Sequence, residues 1–187
     1  MNNEQYNKER HNRKKQLYRL VLGVQQFLNY PIINLVWILF VIGVICFVKW
    51  EQFLISSFEI PVLLDGVFKG CMKFLEVFFP IICVVGIIQF VGYITAMKDE
   101  ADLSIVFCNK RNAKSQSPIL KHKKRDKKSG VIKREFYTTT PMEQWKEKKE
   151  AICDRMDIHL IGDITYGGRK RIKEIISILN LPKAGNQ

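Results

Sequence analysis

Charged residues and histidine are absent from two long apolar stretches of this sequence, residues 31–48 and residues 77–94. A helix rises about 1.5 Å per residue, so about 20 residues cross the ~30 Å hydrocarbon core of a membrane. With their apolar flanks, both stretches reach that length. Core helices of soluble proteins rarely run so far without a charged face. We therefore predict a two-helix transmembrane hairpin with a short outer loop over residues 31–97.

Motifs of catalysis and metal binding are also missing. The sequence has no GxxxxGK[ST] phosphate-binding loop, no GxSxG and no HExxH. The 5 cysteines show no CxxC spacing and the 3 histidines are scattered, so neither a zinc site nor a disulfide framework is indicated. We expect no enzymatic activity, no cofactor and no catalytic residue in this chain.

The charges outside the apolar stretches are unevenly distributed. Residues 1–30 carry a net charge of +4, residues 49–76 a net charge of −1 and residues 98–187 a net charge of +9. Because cytoplasmic segments carry an excess of Lys and Arg, this pattern predicts that both termini are cytoplasmic. We expect a multi-pass protein of the cell membrane.

Residues 1–30 form a basic N-terminal segment. Residues 1–16 are polar and poor in apolar side chains, so we expect them to be disordered. From Leu17 to Leu28, apolar residues recur at helical spacing beside Arg and Lys. This pattern is typical of an interfacial helix on an anionic leaflet, and equally of an ordinary anchor next to a membrane span.

The remainder is divided into a linker, residues 98–117, and a small basic α+β domain, residues 118–187. Residues 169–181 match a helix face, but their Ile content and the preceding Gly167-Gly168, a two-residue hairpin signal, favour a strand. The predicted fold class is thus an α+β membrane protein, a transmembrane hairpin followed by a cytoplasmic ββαββ domain. Its elements are strands 118–125 and 131–137 around a turn at 126–130, helix 141–156, and strands 158–166 and 169–181.

The strongest local signal is the start of the helix. Thr140, Pro141 and Glu143 stand where a capping box places an N-cap, a first-turn proline and the third helical residue. Trp145 follows one turn later and is the expected packing anchor. We assign structural roles to Thr140, Glu143 and Trp145.

Positive charge is the remaining functional signal. It is compatible with contact to nucleic-acid phosphates, with contact to anionic lipid, or with a solvated hairpin tip that satisfies the positive-inside preference. No aromatic residue interleaves with the first run, so a base-stacking platform is not indicated there. The candidate residues form a first run, Lys121, Lys123, Lys124, Arg125, Lys127 and Lys128, and a second run, Arg169, Lys170 and Arg171.

The order of these features resembles the N-terminal, membrane-proximal region of FtsK/SpoIIIE-like proteins of Gram-positive conjugative elements. In that family this region anchors and helps to assemble an ATP-driven DNA pump, the coupling protein of conjugation. The resemblance covers most of the chain, and its most specific parts are the Pro-x-x-x-Trp helix entry and the strand after it. It is carried by Ser117–Leu120, Asp126–Gly130, Glu135–Tyr137, Pro141–Lys149, Met156–Leu160 and Tyr166–Gly168.

The motor of that family, with its phosphate-binding loop and acidic metal partner, would lie after residue 187, so no catalytic residue is carried over. The chain is then an N-terminal fragment, the product of a truncated gene or a small stand-alone relative. The resemblance implies a non-enzymatic membrane anchor and assembly module of a DNA-transfer machine. Its expected partners are the membrane, DNA bound through its backbone, other transfer-machine proteins and further copies of itself. The alternative is a stand-alone membrane-bound adaptor or regulator that docks a protein partner through its cytoplasmic domain.

Overall fold

The structure is a computed structural model that describes residues 3–57, 62–107, 117–126 and 128–179. Its N-terminal part is helical. Helix α1 spans Asn3–Asn29, a short 3-10 turn spans Pro31–Asn34, helix α2 spans Leu35–Ser57 and helix α3 spans Val62–Phe107.

Among the described residues from 117 onward there are two short helices and five strands. Strand β1 spans Ile119–Arg125 and β2 spans Val131–Tyr137, followed by helices α4 (Met142–Glu147) and α5 (Lys149–Met156). Strands β3 (Ile158–Leu160), β4 (Thr165–Tyr166) and β5 (Ile172–Leu179) complete the order. The chain is therefore α+β, with long apolar helices and a small antiparallel sheet.

Two compact units divide the chain. One contains residues 26–88, and the other contains residues 1–25 together with residues 89–187. In the first unit, the rings of Phe27 and Trp37 lie 5.2 Å apart and those of Phe47 and Phe79 stack at 4.6 Å. These aromatic contacts join α1 to α2 and α2 to α3.

Two helical stretches, Pro31–Ser57 and Asp65–Phe107, are long and apolar enough to cross a membrane. None of the residues in the most apolar window of either stretch is buried in the structure. Both stretches are longer than the sequence predicted. At the C-terminal end of the second stretch, the charged residues from Lys98 end the apolar run, but Lys98, Glu100 and Ala101 are good helix formers, so the helix continues.

The longer helices change two predicted segments. Much of the predicted outer loop is helical, since α2 continues to Ser57 and α3 begins at Val62. The predicted linker, residues 98–117, is helical up to Phe107, and residues 108–116 lie outside the described residues.

Helix α1 also departs from expectation. It begins at Asn3, so the prediction of disorder over residues 1–16 is wrong for the described part of that segment. The buried positions of α1 include Arg19 and Leu22, whereas Leu17, Val21 and Val24 are exposed. Apolar periodicity therefore identified a helix but marked mainly its exposed side, because the packed side combines Leu22 with the polar Arg19 and Gln26 and the small Gly23.

The sheet is antiparallel, with the strand order β1-β2-β5-β3 and with β4 also paired to β5. Strands β1, β2 and β5 confirm the strands predicted within residues 118–125, 131–137 and 169–181, including the preference for a strand over a helix in the last of these. The predicted ββαββ order is not confirmed. The single strand expected over 158–166 is two short strands, separated where Gly162 adopts a φ of +91° and Ile164 turns into the core.

Two finer predictions need correction. The hairpin after β4 is longer than two residues, since Gly167 donates its N–H to the Ile172 carbonyl. The predicted single helix is divided at Lys148, and Pro141 takes the N-cap position without any side-chain capping bond. The capping box is therefore not formed; instead, the N–H of Thr140 donates to the hydroxyl of Thr138 at 3.1 Å.

Trp145 lies at the centre of the domain core. It is fully buried, and its ring centroid lies 4.6 Å from that of Phe107 and 6.1 Å from that of Phe136. The end of α3, the helix α4 and the strand β2 thus meet at one aromatic cluster. Glu143, by contrast, is exposed on α4.

Helix α1 and the C-terminal part of α3 approach each other closely at Gly92. A Cβ atom built there would overlap the carbonyl oxygen of Arg19 and would lie 3.0 Å from the backbone nitrogen of Gly23. Leu22 and Ala96 beside it are fully buried. A small residue at this point lets the two backbones meet, as is common between apolar helices.

We predict that Gly92→Ala destabilises the chain by about 1–3 kcal/mol, because the added methyl group forces the two helices apart. The control is Gly86→Ala on the same helix, where the new Cβ meets nothing within 4 Å. That change should be neutral or stabilising by up to about 1 kcal/mol, from helix propensity alone. The measurement is pulse proteolysis of the full chain in detergent along a urea series. Equal unfolding midpoints for the two variants would contradict the close approach.

Candidate nucleic-acid or lipid interface

The first basic run lies on β1, at the edge of the sheet, and on the turn that follows. Two of its members are already engaged: Lys121 Nζ lies 3.2 Å from a Glu135 carboxylate oxygen, and Lys123 Nζ lies 2.7 Å from one of Asp99. Lys124, Arg125 and Lys128 are exposed. Lys127 lies outside the described residues. The run therefore contains both paired and exposed cations.

The turn after β1 is held by Asp126. Its carboxylate accepts hydrogen bonds from the hydroxyl of Ser129 at 2.7 Å and from the N–H of Lys128 at 3.1 Å. These bonds, first of all the one from Ser129, lower the pKa of Asp126 from its ordinary value. Gly130 closes the turn with a φ of +69°, a conformation that suits glycine. The only acid within the basic run thus has a structural role in the turn.

The second basic run lies in the loop between β4 and β5. Arg169, Lys170 and Arg171 are exposed there. Arg171 Nη1 lies 3.5 Å from the hydroxyl of Tyr137. The carbonyl of Lys170 accepts a hydrogen bond from the buried Lys173 at 2.8 Å.

The structure does not bring the two basic runs together. Strands β2 and β5 are antiparallel, with Val131 opposite Ile178 and Tyr137 opposite Ile172. Lys121 lies near the Tyr137 end of β2, since its neighbour Leu120 is opposite Phe136. The exposed Lys124 and Arg125 lie toward the Val131 end, opposite Lys133 and Ile132, and the second run lies beside the Tyr137 end. At about 3.4 Å per residue, the two ends of β2 are about 20 Å apart. A single small ligand does not reach the exposed cations at both ends, whereas an extended polyanion or a surface does.

Asp99, near the end of α3, neutralises two cations of the sheet. Its carboxylate lies 2.7 Å from Lys123 Nζ and 3.3 Å from Arg134 Nε. Arg134 is almost fully buried, and its Nη1 also donates to the hydroxyl of Ser177 at 2.6 Å. An arginine on the inner face of β2 is possible because this carboxylate compensates its charge.

Glu100, the next residue, joins two other elements of the domain to α3. Its carboxylate lies 2.8 Å from Arg19 Nη2 and 3.1 Å from Lys15 Nζ, both on α1. It also accepts the backbone N–H of Leu120 on β1 at 3.2 Å. Arg19 is buried and lies 4.3 Å from the ring centroid of Tyr93. One carboxylate thus connects α1, α3 and the sheet.

Sequence reasoning missed Asp99 and Glu100 as organising residues. The available signal was an acidic cluster, Asp99, Glu100 and Asp102, placed directly after an apolar run in a strongly basic segment. Asp102 extends the pattern, since its carboxylate lies 3.4 Å from Arg155 Nε. Within the described residues, no group of three or more His, Cys, Asp or Glu is arranged to hold a metal ion.

We predict that Glu100→Gln destabilises the chain by about 3–5 kcal/mol, because it leaves the buried Arg19 guanidinium without its counter-charge. The control is Asp163→Asn, which removes a carboxylate from an exposed pair with Lys149 in the same unit. That variant should unfold at the same urea concentration as the wild type, since exposed ion pairs contribute little to stability. Urea unfolding of the full chain in detergent measures both. Coincident curves for Glu100→Gln and wild type would show that the network is not structural.

No family model and no curated protein matches the chain. Among solved structures, it is similar to the pCW3 conjugation coupling protein TcpA in its monomer form with ATPgS, at 30% identity and a TM-score of 0.38. The match covers 46% of this chain and 25% of that chain. This chain therefore matches about a quarter of the coupling protein's length, and the likeness is a distant one. A TM-score of this size does not establish a common fold.

Proposed function

We propose that the chain is a non-enzymatic membrane anchor and assembly module of a DNA-transfer machine. In this proposal the helices Pro31–Ser57 and Asp65–Phe107 insert into the membrane as a hairpin with both termini in the cytoplasm. The sheet domain presents its exposed cations to DNA, and other proteins of the machine, or further copies of the chain, assemble on it. The resemblance in motif order supports this role, and a likeness to a conjugation coupling protein is compatible with it.

One observation carries the proposal. Helix α3 includes a stretch apolar enough to cross a membrane, and its last residues, among them Leu103 and Phe107, belong to the core of a basic α+β domain. Asp99 and Glu100 then secure the domain to that helix through buried ion pairs. Such an arrangement is suited to holding a charged domain at a membrane surface.

The charge distribution leads to a topology prediction. With net charges of +4 before the first apolar stretch, −1 between the two and +9 after the second, both termini should be cytoplasmic. A reporter fused after Gln187 should be active only in its cytoplasmic form, and one inserted near Asp65 only in its external form. The opposite pattern would place the domain outside the cytoplasm, away from cytoplasmic DNA, and would contradict the proposal.

The exposed cations lead to a second prediction, on DNA binding. Lys124→Gln and Lys121→Gln remove the same charge from the same strand, but Lys121 is already paired with Glu135 whereas Lys124 is exposed. Lys124→Gln should reduce the salt slope of binding to random-sequence duplex by about 0.9, the contribution of one phosphate. Lys121→Gln should change it less. Base sequence should have no effect, because phosphate contacts do not specify sequence.

The measurement is a titration of the full chain in uncharged detergent at several salt concentrations. Absence of duplex and single-strand binding in the wild type would contradict a DNA-contacting role and favour the adaptor hypothesis. Equal slopes for Lys124→Gln and wild type would show that the first run is only a solvated hairpin tip.

A further inference from the structure

A polar cleft of about 310 Å³ lies between the start of α1 and the Tyr137 end of the sheet. Helix α1 contributes Arg10, His11 and Lys14 to its lining, and the sheet contributes Tyr137 and Arg171. All of these residues belong to the same compact unit. Of them, only Arg171 belongs to the two basic runs that the sequence analysis identified.

The cations of the cleft converge on a hydroxyl group rather than on a carboxylate. Lys14 Nζ donates to the hydroxyl of Tyr137 at 2.7 Å, and Arg171 Nη1 lies 3.5 Å from the same oxygen. Burial alone would raise the pKa of Tyr137, but hydrogen bonds from Lys14 and Arg171 outweigh it and lower that pKa. No Asp or Glu is among the described residues that line the cleft. Its positive charge is therefore left uncompensated within the cleft.

Neighbouring cations on α1 are treated differently. Lys15 and Arg19 are neutralised by Glu100, on α3. Lys14 and Arg10 turn toward the cleft instead. Helix α1 therefore divides its positive charge between a structural ion-pair network and an open cleft.

His11 adds an unused polar atom. Its Nε2 is buried and has no hydrogen-bond partner among the described residues. Burial, followed by the charge of Lys15, lowers the pKa of His11, whereas Glu100 opposes this and Lys14 adds to it. With its pKa lowered, the imidazole is neutral near pH 7 and adds no charge to the cleft.

We propose that this cleft binds a phosphate group, supplied either as free phosphate or as the phosphomonoester headgroup of an anionic lipid. A phosphomonoester carries nearly two negative charges at neutral pH, which matches the three cations Arg10, Lys14 and Arg171 better than a singly charged phosphodiester does. The arginine guanidinium groups suit paired hydrogen bonds to phosphate oxygens. Arg171 belongs to the second basic run, but the cleft lies apart from Lys124, the residue that tests DNA contact above, since Lys124 is opposite Lys133 toward the Val131 end of β2.

The test is a calorimetric titration of the full chain in uncharged detergent with inorganic phosphate, and with short-chain phosphatidic acid in mixed micelles. Lys14→Gln and Arg171→Gln should each weaken binding about tenfold or more, since each removes a charge-assisted hydrogen bond. The matched controls are Lys8→Gln on the same helix and Lys146→Gln on α4, both exposed and outside the cleft and the two basic runs. These should remain within about twofold of wild type, and urea unfolding verifies that all four variants are folded.

Each outcome bears on the proposal. Binding of both probes, with the predicted loss in Lys14→Gln and Arg171→Gln, supports it with free phosphate as a sufficient source. Binding of phosphatidic acid alone supports it with the lipid headgroup as the source. No saturable binding of either probe, or equal loss in the control variants, would overturn it. The proposal would also be overturned if both probes fail while duplex DNA without terminal phosphates binds in a manner that depends on Lys14 and Arg171. The cleft would then be a DNA contact. The outcome is independent of Lys124→Gln, which tests the proposed function.

Discussion

Two adjacent buried carboxylates, Asp99 and Glu100, are the constraint on which the domain depends. They follow a long apolar run directly, yet each is more than nine-tenths buried. Burying a carboxylate is tolerated only when cations and hydrogen-bond donors surround it. Those donors come from three separate parts of the chain: α1, the first strand and the second strand. The position of α1 against α3, and that of the sheet against both, follow from satisfying the same pair of charges.

The same constraint explains why α1 packs through unexpected residues. Arg19 must reach Glu100, so its side of the helix faces α3, and Gly23 then meets Gly92 with no room for a side chain. The apolar residues Leu17, Val21 and Val24 are left exposed as a consequence. In a soluble protein such a stripe would be a liability, whereas beside a membrane it is the face that an interfacial helix needs.

The sequence predicted the parts of the fold that depend on strong local patterns. Two charge-free runs identified the apolar helices, and β-branched residues around Asp126–Gly130 identified the first hairpin. It failed where tertiary contacts decide. Lys98–Asp102 resembled the start of a linker because four of its five residues are charged, but two of these, Asp99 and Glu100, are buried in the domain. Thr140 looked like a cap because of its spacing, but no local pattern reveals that its N–H is held by Thr138. The candidate basic residues were found by composition, whereas their partners were not.

The carboxylate partners of the basic residues reduce the positive charge that is available for binding. A domain with a net charge of +9 over residues 98–187 suggests a uniformly attractive surface for polyanions. Yet Lys123 and Arg134 are bound to Asp99, and Lys121 is bound to Glu135, so these cations hold the fold together. Only exposed cations exchange counterions readily with a phosphate backbone. Because the exposed cations lie at both ends of the sheet, the charge available for binding is smaller than the sequence count and more localised. A polyanion therefore meets two separate patches, each with its own geometry, rather than one continuous basic face.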